Sequence, residues 1–206
     1  MITRFISFLT EQKIKKPIVF AFGRMNPPTT GHAALVDKVK EVARENNAPH
    51  EIVLSHSQDS KKNPLSPEQK LAHAKRFFPD TNITLASKEQ PTLMHHLARL
   101  HQAGHDHAIV IAGSDRVPEY QALINKYNGV ADKKGNIPFN FKKVDVVSSG
   151  DRDPDAEGVE GMSASKMREH ALTGNFKEFR KGVPSHVSDA HAKEMFNHVK
   201  QGIGKV

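Results

Sequence analysis

The stretch Ile18-Val19-Phe20-Ala21-Phe22-Gly23-Arg24-Met25-Asn26-Pro27-Pro28-Thr29-Thr30-Gly31-His32 decides how this chain is read. Its first five residues form a near-continuous apolar run, the pattern of a parallel strand covered on both faces. Pro27 and Pro28 forbid strand or helix at that point. Beyond His32 the period changes. Leu35, Val39, Val42 and Ala43 make one stripe, while Lys38, Lys40, Glu41, Arg44 and Glu45 point elsewhere, which predicts a helix opening at Gly31-His32. A strand that ends in glycine and passes through a tight loop into a helix N-terminus presents backbone N–H groups and an imidazole to a phosphate.

The same alternation continues outward. Strands are predicted over 18–22, 51–55, 83–85, 108–112 and 144–147. Helices are predicted over 32–45, 67–78, 92–103, 118–127, 165–172, 176–180 and 188–200. Ser66-Pro67-Glu68-Gln69 reads as a capping box with proline at the first helical position, and Gly174 suits a helix C-terminus. Strands separated by helices imply a Rossmann-like, doubly wound, five-stranded parallel sheet, followed here by a short helical C-terminal part. Residues 128–141 carry the turn signal Lys133-Lys134-Gly135-Asn136 and predict a surface hairpin or loop. Residues 148–161 lack an apolar period and are expected to order over a ligand.

Bulk properties narrow the class. A chain of 206 residues accommodates one α/β domain with a sizeable core, here 17–206, and a short extension at 1–16. No apolar run approaches the ~20 residues of a membrane span, and the N-terminus is too short and too poorly flanked for a secretory signal. Cysteine is absent, which excludes disulfides and cysteine metal sites and points to the cytoplasm. The net charge of +7 fits either a nucleic-acid footprint or an enzyme of anionic substrates. Lysine and arginine are scattered and aromatics are few, so small anionic molecules are favoured over nucleic acid. The histidines His95, His96, His101, His105 and His107 invite a metal reading. Neighbours 95 and 96 diverge on a helix and no i, i+4 histidine pair occurs within it, so a solvated helix end is expected, with no metal site.

Thr29-Thr30-Gly31-His32 resembles the T/H-x-G-H signature of the nucleotidylyltransferase superfamily. Gly161-Met162-Ser163-Ala164-Ser165-Lys166-Met167-Arg168 resembles its second signature, a hydroxyl-rich turn entering a basic helix. Both stand in the superfamily's order on suitable elements. The resemblance implies attack of a phosphate-type oxygen on the α-phosphorus of a nucleoside triphosphate, with release of pyrophosphate. In that reaction the protein aligns oxygens and stabilises phosphate charge.

The resemblance assigns His32 to the α- and β-phosphates, Thr29 to a phosphate oxygen where many members have a first histidine, and Arg24 and Arg168 to phosphate clamping, Arg168 on the leaving pyrophosphate. Phe22, Gly23, Met25 and Gly31 would line the nucleotide with them, as would Met162, Ser163 and Ser165, the last also suited to a helix N-terminus. Gly113-Ser114-Asp115 resembles the Gly-x-Asp turn that contacts ribose or base. Mg2+ would accompany the triphosphate, with Asp59 and Asp115 as outer partners. Asn26-Pro27-Pro28, the loop 57–66 and the region 167–184 resemble nicotinamide mononucleotide adenylyltransferases, implying ATP as donor and NAD as product. The missing tryptophan departs from relatives that stack it on the nicotinamide. The run Glu160-Gly161-Met162-Ser163 is also similar to cytidylyltransferases, which leaves CTP with a phosphorylated alcohol or sugar as the alternative. A nucleotide- or nucleic-acid-binding protein on a retired fold is the rival of another class. Relatives are often oligomeric, which extends to a homo-oligomer here.

Overall fold

The computed structural model describes residues 16–150 and 162–204. Five strands form one parallel sheet: β1 Pro17–Gly23, β2 His50–Leu54, β3 Ile83–Leu85, β4 His107–Ala112 and β5 Lys143–Ser148. Their order is β3-β2-β1-β4-β5. The helices are α1 Ala33–Glu45, α2 Pro67–Phe77, α3 Leu93–Gln102, α4 Val117–Tyr127, α5 Ala164–Leu172, α6 Phe176–Lys181 and α7 Asp189–Ile203. The predicted Rossmann-like sheet is present, with element ends moved by at most three residues. The helix expected at Gly31-His32 begins as a 3-10 turn, Thr30–His32, before α1.

The pleat explains how the sequence fills both faces. Val19 and Ala21 of β1 enter one core with Ile52 and Leu54 of β2 and Ile109 and Ile111 of β4. Ile18 and Phe20 enter the other with Val53, Ala108 and Val110. Alternate residues of a strand face opposite ways, so a strand buried on both sides must be apolar throughout. On the first face lie α1, α2 and the C-terminal helices; on the second lie α3 and α4. Helices α1 and α2 carry the chain from β1 out to β3 along the first face, and α3 then returns it to the far side of β1. The order therefore reverses between β1 and β4, which opens a crevice at their carboxyl ends.

Residues 128–142 form a loop with a turn at Asp132–Asn136 and no strand, because Phe139 and Phe141 plug the second core instead. The segment 151–161, including most of the loop expected to order over a ligand, lies outside the described residues, as do residues 1–15. The expected solvated histidine cluster is not what forms. His96 and His107 are buried, His107 against Asp145 at 2.7 Å, and His101 meets Phe141 edge-on. Only His95 of the five is exposed. No helix among the described residues is long and apolar enough to cross a membrane.

The C-terminal helices form a brace on the first face. Phe179 of α6 meets Phe196 of α7 edge-on with centroids 5.1 Å apart. Across the α2–α7 seam, buried His73 Nε2 lies 3.1 Å from His198 Nδ1, and Arg76 pairs with Glu194. Burial, with help from His198, lowers the His73 pKa from 6.5 to about 4. The unfolded chain thus takes up a proton that the folded chain resists. The seam contributes fully above pH 6.5 and loses its contribution as pH falls toward 4, by about 3 kcal/mol at most. Urea unfolding at pH 7.0, 5.5 and 4.5 should show this loss, about pH 5.5 being midway, and His73→Gln should flatten the slope relative to the parent.

Candidate active site

The crevice is built from the loop that leaves β1. Gly23 closes the strand, with its carbonyl taking the Ser55 amide at 2.8 Å, and a side chain at Gly23 would meet nothing within 4 Å. Arg24 projects into solvent. Met25 turns the chain at φ 40°, a left-handed conformation that costs a non-glycine residue roughly 1–2 kcal/mol, and its side chain is buried in the first core. Asn26, also buried, fixes the loop to the segment before α2: its Oδ1 accepts from the Leu65 amide at 3.0 Å and its Nδ2 donates to the Leu65 carbonyl at 3.2 Å. The Asn26–Pro27 peptide is cis.

Thr29 and His32 form a closed unit. The Thr29 amide donates to His32 Nδ1 at 3.0 Å, and Thr29 Oγ1 lies 3.0 Å from the same nitrogen. An amide only donates, so Nδ1 accepts and the neutral ring carries its proton on Nε2. The imidazole is therefore set as an Nε2–H donor at the helix start. Thr29 itself is 1% exposed, so its hydroxyl serves the imidazole. This differs from the expected contact with a phosphate, because the hydroxyl is turned inward.

The second motif meets the first through close backbone approaches. A Cβ at Gly31 would stand 2.8 Å from the Met162 carbonyl oxygen, and the Thr30 amide donates to the Gly182 carbonyl at 2.9 Å. Gly182 in turn admits the Met162 and Met167 side chains where a Cβ would sit 2.4 Å from both. Like Met25, Met162 sends its side chain into the core, so any nucleotide contact by either falls to its backbone. Ser163 is the N-cap of α5, accepting from the Lys166 amide at 3.2 Å; Ser165 is already inside the helix. Arg168 reaches back from α5 and donates to the Asn26 carbonyl and to Ser165 Oγ, both at 2.9 Å.

The electrostatics converge. Arg168 is half-buried, and burial together with the charge of Arg24 pulls its pKa down, against the opposing pull of Asp59. Lys70, which sequence reading overlooked, is fully buried on α2, with Nζ bonded to the Ser55 carbonyl and 3.4 Å from Ser55 Oγ. Burial first, and Arg24 second, lower its pKa to about 8. The signal for it was present: Lys70 falls on the buried stripe of α2 with Ala74 and Phe77, where a lysine needs a reason. Arg24 thus repels both the buried Lys70 ammonium and the half-buried Arg168 guanidinium, an arrangement that an anion relieves.

Other assigned residues sit around this centre. Phe22, half-buried at the end of β1, leans on His96 with ring centroids 5.7 Å apart. Both His96 ring nitrogens are buried without a hydrogen-bond partner, and burial lowers its pKa. Gly113 and exposed Asp115 follow β4 across the crevice, Asp115 lying 3.7 Å from Arg116. They flank the site through the β1–β4 pairing, without joining the Arg24 cluster. Asp59 closes its own loop. The Lys62 amide and the Asn63 side chain hold its pKa down to about 2. No group of three histidine, aspartate or glutamate residues among the described residues could hold a metal ion.

This fold and site define a nucleotidyltransferase. The chain belongs to the cytidylyltransferase-like family, which residues 20–170 match. Solved structures of similar fold include nicotinic acid mononucleotide adenylyltransferase of Plasmodium falciparum complexed with NaAD, 14% identical at a TM-score of 0.56, over 90% of this chain and 95% of that one. Another is Thermotoga maritima TmcAL bound with alpha-thio ATP, 10% identical at 0.53 over 93% of this chain. A third is a bifunctional NMN adenylyltransferase/ADP ribose pyrophosphatase from Francisella tularensis, 11% identical at 0.52 over 92%. This chain spans 56% and 53% of the latter two. No curated protein sequence matches.

Lys70 gives the site a pH signature of its own. As pH rises through about 8, the buried ammonium is lost and the positive charge behind the β2 end falls with it. Calorimetric affinity for ATP should therefore weaken between pH 7 and 9, with pH 8 as the midpoint, and Lys70→Arg, which keeps its charge, should abolish the trend.

Proposed function

We propose that this protein transfers an adenylyl group from ATP to nicotinamide mononucleotide, giving NAD and pyrophosphate. The observation that carries the reading is the meeting of the three sequence features that resemble this enzyme group. Asn26 of the first loop binds Leu65 of the second, and the Gly182 carbonyl of the C-terminal region takes the Thr30 amide. These parts, distant in sequence, meet around His32, and on this reading Arg24 and Arg168 face the nucleotide with the buried Lys70 charge behind them.

In this mechanism an oxygen of the acceptor's phosphate attacks the α-phosphorus in line. The bond from the α-phosphorus to the bridging oxygen breaks, and pyrophosphate leaves with that electron pair. His32 donates from Nε2 to the α- and β-phosphate oxygens, and its preset tautomer spares reorganisation as charge builds there. Arg168 and Arg24 neutralise the leaving pyrophosphate, and Lys70 draws the acceptor phosphate toward the β1–β2 side. Ser163 and Ser165 supply hydroxyls at the start of α5, while Phe22 and the Gly113–Asp115 turn bound the base and ribose. Magnesium would enter with the triphosphate substrate and supply further charge neutralisation on its phosphates. Asp59 is committed to its own loop, so it serves the ion at most from the outer sphere.

A second reading keeps the site and changes the donor: CTP with a phosphorylated alcohol or sugar. The family match favours weighing it. Crossing ATP and CTP against nicotinamide mononucleotide and a panel of phosphorylated alcohols decides between them. Pyrophosphate release with ATP and nicotinamide mononucleotide alone, with NAD formed in equal amount, is expected. Release with CTP alone moves the enzyme to the other branch. In the active pairing His32→Ala should lower kcat by about two orders of magnitude while the protein stays folded, the scale for one preorganised phosphate donor.

A further inference from the structure

The C-terminal helix α7 reaches the crevice through one residue. At Gly202, in its last turn, a Cβ would stand 2.0 Å from the Pro64 carbonyl oxygen, 2.6 Å from its carbon and 2.8 Å from its Cβ. These are largely backbone atoms that cannot swing aside. Pro64 precedes Leu65, whose amide and carbonyl are both bound by the Asn26 side chain. The Asn26 carbonyl then accepts Arg168 Nη1. A continuous path of contacts thus runs from the end of α7 to the guanidinium assigned to the triphosphate.

We infer that Gly202 is a positioning residue: by letting α7 seat directly on Pro64, it sets the Leu65–Asn26 pair and through it Arg168. Neither side of the contact is free to yield. Upstream on α7, His198 meets His73 and Glu194 pairs with Arg76, so the helix is tied to α2. On the other side Leu65 is fully buried, and the Asn63 carbonyl before Pro64 takes the Asp59 amide at 2.9 Å. A side chain at 202 therefore displaces the 63–65 segment, and the shift emerges at Asn26. The inference rests on Arg168 belonging to the nucleotide site but not on the identity of the acceptor.

The test is a double-mutant cycle read by calorimetric affinity for ATP or CTP, whichever binds tighter, with thermal unfolding alongside. Arg168→Ala should weaken binding about tenfold or more, as loss of a charge-assisted bond does. Gly202→Ala should produce a similar loss alone and none in the Arg168→Ala background, since both act on one contact. Asn26→Ser removes the Leu65 bonds without crowding α7 and should show the same non-additivity, which keeps the test available if Gly202→Ala folds poorly. Additive losses, or an unchanged affinity in Gly202→Ala, overturn the inference alone. An unchanged affinity in Arg168→Ala overturns it together with the assignment of Arg168 to the site.

Discussion

Arg24, Lys70 and Arg168 come from three separate parts of the chain, and the charges of Lys70 and Arg168 are costly where they stand. Two of them are wholly or partly withdrawn from water, and Arg24 lowers the pKa of both. Like charges are assembled against their own repulsion only when the rest of the structure fixes them in place. Here that fixing is done by neutral oxygens. The Ser55 carbonyl and hydroxyl take Lys70, and the Asn26 carbonyl and Ser165 hydroxyl take Arg168. Such partners satisfy donors without cancelling charge, so the crevice keeps its positive potential for a phosphate.

The demand for these oxygens explains features that packing alone does not. Ser55 must stand at the carboxyl end of β2, and its amide is bound to Gly23 of β1, so the two strand ends are locked together. Asn26 must present its carbonyl to α5 while its side chain faces Leu65, and the loop reaches that pose through the left-handed Met25. The glycines at 31 and 202 then let backbone meet backbone where any side chain would intervene, and Gly182 leaves room for the Met162 and Met167 side chains. The first core, with its T-shaped phenylalanines and the His73–His198 seam, clamps α5, α6 and α7 onto these contacts.

Much of this was legible in the sequence, and the line between what was and was not is physical. The five strands and seven helices announce themselves because burial on one or two faces imposes a period on neighbouring residues. The two signatures were legible by their resemblance to a known superfamily, standing in its order on elements whose period is local. Lys70 and Gly202 escaped because each owes its role to a partner far away in sequence, Ser55 and Pro64 respectively, and Asn26 was read only as part of a motif, without its bonds to Leu65. His96 and His107 misled for the same reason. Local spacing suggested a solvated helix end, whereas the sheet buries one under Phe20 and Phe22 and pairs the other with Asp145 of β5.

The Thr29–His32 unit shows how a threonine serves where the resemblance leads one to expect a histidine. What fixes the His32 tautomer is the Thr29 amide, a backbone group that any residue but proline provides at that position. The side chain at 29 adds a second polar contact to the same nitrogen but does not choose the proton's place. The constraint on residue 29 is accordingly one of space, since the side chain is almost wholly enclosed and must be small or well fitted. The charge that a histidine would have brought is present elsewhere, in the buried ammonium of Lys70 and the two arginines. On the proposed function, the cations near the β1 loop, rather than the letter at position 29, would carry the site's charge.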